Sequence, residues 1–327
     1  MTHLRPTLLF PGLAIISLAA GMFALVSGSA DFSFDEVWQS LTGAAPESAR
    51  SVIMDLRLPR ALTAFGVGGL LAVSGVLMQV LLRNPLAEPY ILGSSGGAAV
   101  AALLAMMFGL GATLVDLSAF AGAMFATLLV FSIAQGTGNW TPTRLLLTGV
   151  VLAAGFSAAT TLLLALSPDQ NLRGMLFWLV GDLSFSYSPA QSLWLLAAIT
   201  LAGLAAARHL NVLARGDLQA AILGLPVAGF RLTIFAVTAL ATAISVTTVG
   251  VIGFIGLVVP HLIRIIAGSD HRIVLPASAL AGGTLLVIAD TLARTLLAPR
   301  QLPVGALTAM IGVPLFLILM SRSRRTG

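Results

Sequence analysis

An all-α, polytopic membrane protein with ten transmembrane helices is the fold class predicted by three features of this sequence. Of its 327 residues, 58% are hydrophobic and only 9% are charged, against roughly 25% charged in a typical soluble domain. Mean hydropathy is +1.01. The charges fall so that nine uncharged runs lie between them, most with the length of about 20 residues that a hydrocarbon core demands. No sizeable soluble domain fits, and residues 1–327 read as a single transmembrane domain.

The first run, 6–27, follows His3 and Arg5. Gly28-Ser29-Ala30 looks like a small-residue cleavage site, yet the apolar stretch exceeds a usual signal-peptide core, so a retained helix is expected. Runs 61–82, 91–108, 117–134, 145–166 and 189–207 each read as one span. Leu172–Gly181 is too short to cross and is expected at the interface or over the mouth. The run 232–263 holds 32 residues, too many for one span and too few for two. A full helix over about 230–250, then a short or broken one through Gly253, Gly256 and Pro260, resolves it if the irregular backbone is buried in protein. Runs 273–289 and 301–320 complete the ten.

Ten spans put both termini on one side. With the termini inside, the inner segments hold 11 of the 17 Arg, including Arg83, Arg215, Arg231 and Arg264, so the positive-inside rule makes that side the cytoplasm. Nine acidic residues, Asp31 and Asp290 among them, then fall outside, and Glu88, Asp217 and Asp270 fall inside.

Absences narrow the function. All 17 basic residues are Arg, so a Walker A lysine and Schiff-base chemistry are both excluded. There is no Cys, hence no disulfide or thiolate ligand. The basic residues stand singly among apolar runs, which argues against nucleic acid. No ionisable residue is expected at mid-membrane, where a proton- or sodium-coupled transporter would need one. Asp290 and Arg294 come closest, as an i,i+4 ion pair near the outer end of the ninth span. The spans are instead rich in small residues: Thr148, Ser157, Thr160 and Thr161 on the fifth, Thr308 on the tenth. These allow close helix packing and also suit a weakly binding pathway for a large solute. The energy source must then be a partner.

Two places could receive partners. The longest cytoplasmic connection, 208–231, reads as one or two short amphipathic helices, either lying on the membrane surface or docking a cytosolic subunit. Outside, Arg57, Arg60 and Arg294 run against the positive-inside preference and suit either carboxylates on a partner or lipid headgroups. Asn139-Trp140-Thr141 matches a glycosylation acceptor by chance in a cytoplasmic loop.

The strings RLPRAL (57–62), RNPLAEPYILGSSGGA (83–98), RLLLTGV (144–150), GDLQAAILGLP (216–226), GVIGFIGLVVPHLIR (250–264), IADTLAR (288–294) and QLPVGALTAMIGVPLF (301–316) closely resemble the FecCD/BtuC family of ABC-importer permeases, in the family's order. The resemblance implies a BtuC-like type II importer fold, a homodimer of ten-helix subunits in the bacterial inner membrane. It implies two cytosolic ATP-binding subunits, a periplasmic substrate-binding protein, and no permanently bound cofactor, ATP being held by the partner subunit. It maps binding-protein docking onto Arg57, Arg60 and Arg294. ATPase coupling maps onto Arg215, Gly216, Asp217, Ala220, Gly224, Leu225 and Pro226, with Gly216, Ala220 and Gly224 small for packing on the ATPase. The cytoplasmic gate maps onto Thr141, Pro142 and Thr143, where some members have a second hydroxyl in place of Pro142. The fifth and tenth spans, with Thr148, Ser157, Thr160, Thr161 and Thr308, map onto the pathway lining. Family cargo is a ferric siderophore, haem or cobalamin, and the favoured expectation is an iron chelate.

Overall fold

A computed structural model describes residues 5–28, 32–136, 141–184, 189–298 and 300–323, and all regular structure among them is helical. His3, Ser29, Ala30, Asp31, Asn139 and Trp140, used above for the first run, the topology and the acceptor motif, lie outside the described residues.

Helix α1 (Pro6–Val26) starts on Pro, where the missing N–H would have had no partner anyway. The outer segment that follows carries α2 (Phe34–Thr42), closed by a capping box in which Ser33 and Glu36 each bond the other's backbone N–H. Next, α3 (Glu47–Ser51) and a π-helical turn (Val52–Arg57) run directly into α4 (Leu58–Leu81). This helix is apolar all round and is the core of the fold: Leu70, Leu71 and Met78 are sealed from solvent.

The remaining helices are α5 (Ser94–Met107), α6 (Ala112–Gln135), α7 (Pro142–Leu166), α8 (Asp169–Val180), α9 (Ala190–Ala205), α10 (Ala207–Leu213), α11 (Asp217–Ile222), α12 (Val227–Val249), α13 (Ile255–Ala267), α14 (His271–Thr295) and α15 (Val304–Ser323). Around α4 pack α14, α12, α9 and α13, while α5 and α6 pair as a hairpin beside α12. The expected interfacial segment is α8, and the connection 208–231 holds α10 and α11.

Six helices are long and apolar enough to cross a membrane alone, and α9 with α10, bent by 67°, makes a seventh if taken as one span. The other expected spans, α5, α13 and α15, are shorter apolar helices. At 14 and 13 residues, α5 and α13 reach only about 20 Å at 1.5 Å per residue, against roughly 30 Å of hydrocarbon.

Their starting points show why they are short. A Cβ on Gly75 would fall on the Gly256 carbonyl, so the second residue of α13 touches α4 some six residues above its inner end, Leu81. Likewise Gly97, in the first turn of α5, lies backbone to backbone against Gly122, halfway along α6. Both helices therefore begin partway along their long neighbours rather than level with those neighbours' ends. This corrects the reading of 91–108 as a full span: after α4 the chain turns back inward over 83–93 before α5 starts. The run 232–263 divides as expected, into α12 and a short α13 that contains Gly256 and Pro260, with Gly253 in the break at 250–254. The irregular stretches are covered by protein, with Pro89, Leu92 and Ile252 buried, which meets the condition for non-helical backbone at this depth.

Candidate functional site

At the end of the bundle expected to lie outside, α4 and α14 bring Arg60, Asp290 and Arg294 together. The Asp290 carboxylate accepts from Arg60 Nε at 2.9 Å and Nη2 at 2.7 Å, a bidentate fork. Arg294, one turn further along α14, adds an ion pair at 3.3 Å and donates to the Ala24 carbonyl at 3.2 Å. Arg60 also approaches Ser184 Oγ at 3.5 Å, and that hydroxyl bonds Asp182 and Gln301, so the cluster ties α4 and α14 to the loops after α8 and α14. Asp290 is 2% exposed. Arg57 is buried too: its Nη1 donates to the carbonyls of Leu25 at 2.7 Å and Val26 at 2.9 Å, and its guanidinium lies over the Phe32 ring. The expected i,i+4 pair is present, but the expected open cationic rim is not. As placed, all three guanidiniums are engaged within the chain, because the ends of α1 and α14 supply carbonyls and a carboxylate at that level.

At the end of the bundle expected to face the cytoplasm, α11 hangs on two ion pairs. Asp217, its first residue, meets Arg231 of α12 at 3.0 Å and Arg83 after α4 at 3.7 Å. Ala220 is fully buried and packs into the chain's own core. Gly216 and Gly224 are small for another reason, holding φ of 124° and 83° where a side chain would strain the turn. Leu225 packs partly against the core; Arg215 and Pro226 are exposed. The face turned to solvent is apolar: Leu218 is 75% and Ile222 75% exposed. Ile222 belongs to the amphipathic pattern that the sequence shows; Leu218 was passed over, although an apolar residue on a six-residue polar-flanked helix is a readable signal.

Thr141, Pro142 and Thr143 share a cavity of about 680 Å³ with Arg83, Asp217 and Arg231, so the structure joins the expected gate to the expected coupling segment. Thr141 caps α7 by accepting the Arg144 N–H, and Pro142 occupies the first helical position, where it favours the helix.

Helix α7 is almost bare within one chain, with Leu145 and Gly149 its only buried residues. Ser157 and Thr161 are exposed and Thr148 and Thr160 half-buried, an arrangement open to a pathway or a second subunit. Thr308 differs: it is buried, and its hydroxyl bonds the Gly305 carbonyl of its own helix at 3.0 Å. Within one chain, that side of α15 faces the interior.

The broken helices meet at a group the sequence placed in the cytoplasm. Glu88 is half-buried, and its Oε1 accepts the Phe254 N–H at 2.8 Å, capping the start of α13. The Tyr90 hydroxyl accepts from Ile252 N–H at 3.5 Å. Phe254 itself holds φ of 70°, unusual for a bulky residue, and packs on Gly312 of α15. Glu88 is therefore held against protein at the break between α12 and α13, where the sequence reads as a cytoplasmic loop.

Comparison with known proteins accords with this architecture. Residues 15–322 match the FecCD transport family. The hemin transport system permease protein HmuU of Yersinia pestis is 41% identical over 99% of both chains. The vitamin B12 import system permease protein BtuC of Shigella boydii is 37% identical, covering 96% of this chain and 94% of that one. Among solved structures, a chain described as a metal-chelate type ABC transporter in an inward-facing conformation superposes with a TM-score of 0.85 at 31% identity, covering 97% of this chain and all of that one. With the central buried helix and the half-length helices in place, the chain belongs to the FecCD family of ABC-importer permeases.

Proposed function

We propose that this chain forms the translocation pathway of a bacterial ATP-driven importer for an iron chelate, haem foremost. It works as a homodimer in the inner membrane, termini in the cytoplasm, with two cytosolic ATP-binding subunits and a periplasmic binding protein. The observation that carries the reading is the end-to-end similarity to a hemin permease, 41% identical over 99% of both chains. Three features support it. The bare face of α7 needs a second copy or lipid against it. The apolar face of α11, Leu218 and Ile222, suits a hydrophobic cleft on the ATPase. Outside, two guanidiniums share one carboxylate, so Arg60 and Arg294 leave a net positive field for an acidic partner although neither side chain is free. Arg57 would join that docking only after leaving its carbonyls. Vitamin B12 is the second reading, supported by 37% identity to BtuC.

The test is uptake into proteoliposomes holding this chain with its ATPase, supplied with the binding protein loaded with haem, a ferric siderophore or cobalamin. Haem uptake that requires internal ATP is expected. Uptake by the chain alone under a proton or sodium gradient would overturn the reading, and uptake of cobalamin alone would move it to the second.

A further inference from the structure

A second inner cavity, about 590 Å³, lies where the inner ends of α4, α10, α13 and α14 converge. Its lining includes Arg83, Arg215, Arg264, Asp270 and His271. Three guanidiniums therefore open on one space against a single carboxylate. Among the described residues no carboxylate lies within ion-pair distance of Arg215 or Arg264, and Arg264 bonds only the side-chain oxygen of Gln79. Arg83 is held loosely, 3.7 Å from Asp217. Asp270 does not make up the difference. Its Oδ1 already accepts from the Asn211 amide at 2.8 Å and the Arg272 N–H at 3.0 Å, and these bonds hold its carboxyl below the usual carboxylate range. Ionised at neutral pH, it balances one guanidinium and leaves two.

The fourth polar group points the same way. Asn211 gives its amide to Asp270, so its oxygen must accept both contacts from His271, the backbone N–H at 3.0 Å and Nδ1 at 2.6 Å. Nδ1 then carries the proton and Nε2 presents a lone pair. That nitrogen is buried and has no partner among the described residues, in a residue only 3% exposed. A buried acceptor without a donor is costly to leave unmet.

We propose that this cavity binds a phosphate-type anion, gripped by Arg83, Arg215 and Arg264. A tetrahedral anion offers oxygens in several directions, which three guanidiniums on separate elements can share and a planar carboxylate cannot. A monoester or free hydrogen phosphate also brings a P–OH that a small shift of the ring would set on Nε2. The volume leaves room for an organic group beyond the phosphate. The source is either a soluble phosphate or the headgroup of an anionic lipid in the inner leaflet, whose phosphodiester lacks that proton. The inference does not rest on the importer reading, because it is measured on the isolated full-length chain.

The experiment titrates the purified chain with inorganic phosphate at constant ionic strength set by chloride, following binding by calorimetry. In parallel, native mass spectrometry follows retention of phosphatidylglycerol against phosphatidylcholine. Saturable binding of one of these probes is expected, weakened roughly tenfold in each of Arg215→Gln and Arg264→Gln, the loss of one charge-assisted bond. Arg215 is exposed, so its variant tests the site even if Arg264→Gln fails to fold. Arg272→Gln, outside the lining, should bind as the parent does. Phosphate binding without lipid retention assigns a soluble ligand, and the reverse assigns the headgroup. Binding of neither probe, or an equal loss in Arg272→Gln, overturns the proposal.

Discussion

Replacing Asp290 by Ala removes the only carboxylate between two largely buried guanidiniums, whose side chains are 13% and 11% exposed. At an effective dielectric of about 20, separations of 2.7 and 3.3 Å give gross attractions of about 6 and 5 kcal/mol. Most of that offsets desolvation. What the variant suffers is the cost of an uncompensated buried charge, about 3–5 kcal/mol when one member of such a cluster is deleted. The lower figure already shifts the folding equilibrium more than roughly a hundredfold. Reversible unfolding in mixed micelles titrated with dodecyl sulfate measures it. The triple variant Arg60→Met, Asp290→Leu, Arg294→Met removes every charge together and should return to within about 1 kcal/mol of the parent, since apolar groups of similar volume replace buried ion clusters without loss. If Asp290→Ala costs under about 1 kcal/mol, the cluster is hydrated and the reasoning fails.

Other substitutions separate roles that the sequence left mixed. Leu218→Asp with Ile222→Asp should abolish co-purification of the ATPase while moving stability by no more than about 0.5 kcal/mol, as befits exposed positions. Gly75→Val drives a side chain into the Gly256 carbonyl and should cost about 3 kcal/mol or more, read as loss of folded protein in detergent, whereas Gly12→Val meets open space and should be silent. Thr308→Val should leave transport near the parent rate, because that hydroxyl serves only its own helix; a strong loss would place it in the pathway. Glu88→Gln keeps an oxygen for the Phe254 N–H, while Glu88→Ala leaves it unbonded and should lose about 1–3 kcal/mol in the same micelle assay.

Long uncharged runs made most spans legible, because the requirement for apolar length is nearly independent of neighbours. The same rule found α5 but hid how short it is: Arg83, Asn84 and Glu88 look like a loop, and nothing local says that such a loop turns back among the packed helices. Glu88 could be found only through its partner, Phe254, far along the chain. The Asp290–Arg294 pair was visible at i,i+4 spacing, but Arg60, the stronger partner, arrives from another helix. Small residues were ambiguous for a physical reason. Ala220 is small to enter its own core, Gly224 for its backbone angle, and Ser157 stands on an open face, and composition does not distinguish these uses.

The meeting of Glu88 with Phe254 also sets a timetable for biosynthesis. The two residues are 166 positions apart, so at about 5–20 residues per second the partner emerges roughly 8–33 s after the carboxylate does. During that interval the polar stretch 83–93 has neither water-free backbone partners nor α13 to cover it, and lipid alone will not accept it. The nascent chain ahead of α13 must therefore wait at the insertion machinery or at the cytoplasmic surface, with the groove beside Gly75 vacant. Truncation just before α13 should leave this fragment exposed to membrane quality-control proteases, however apolar its individual helices are.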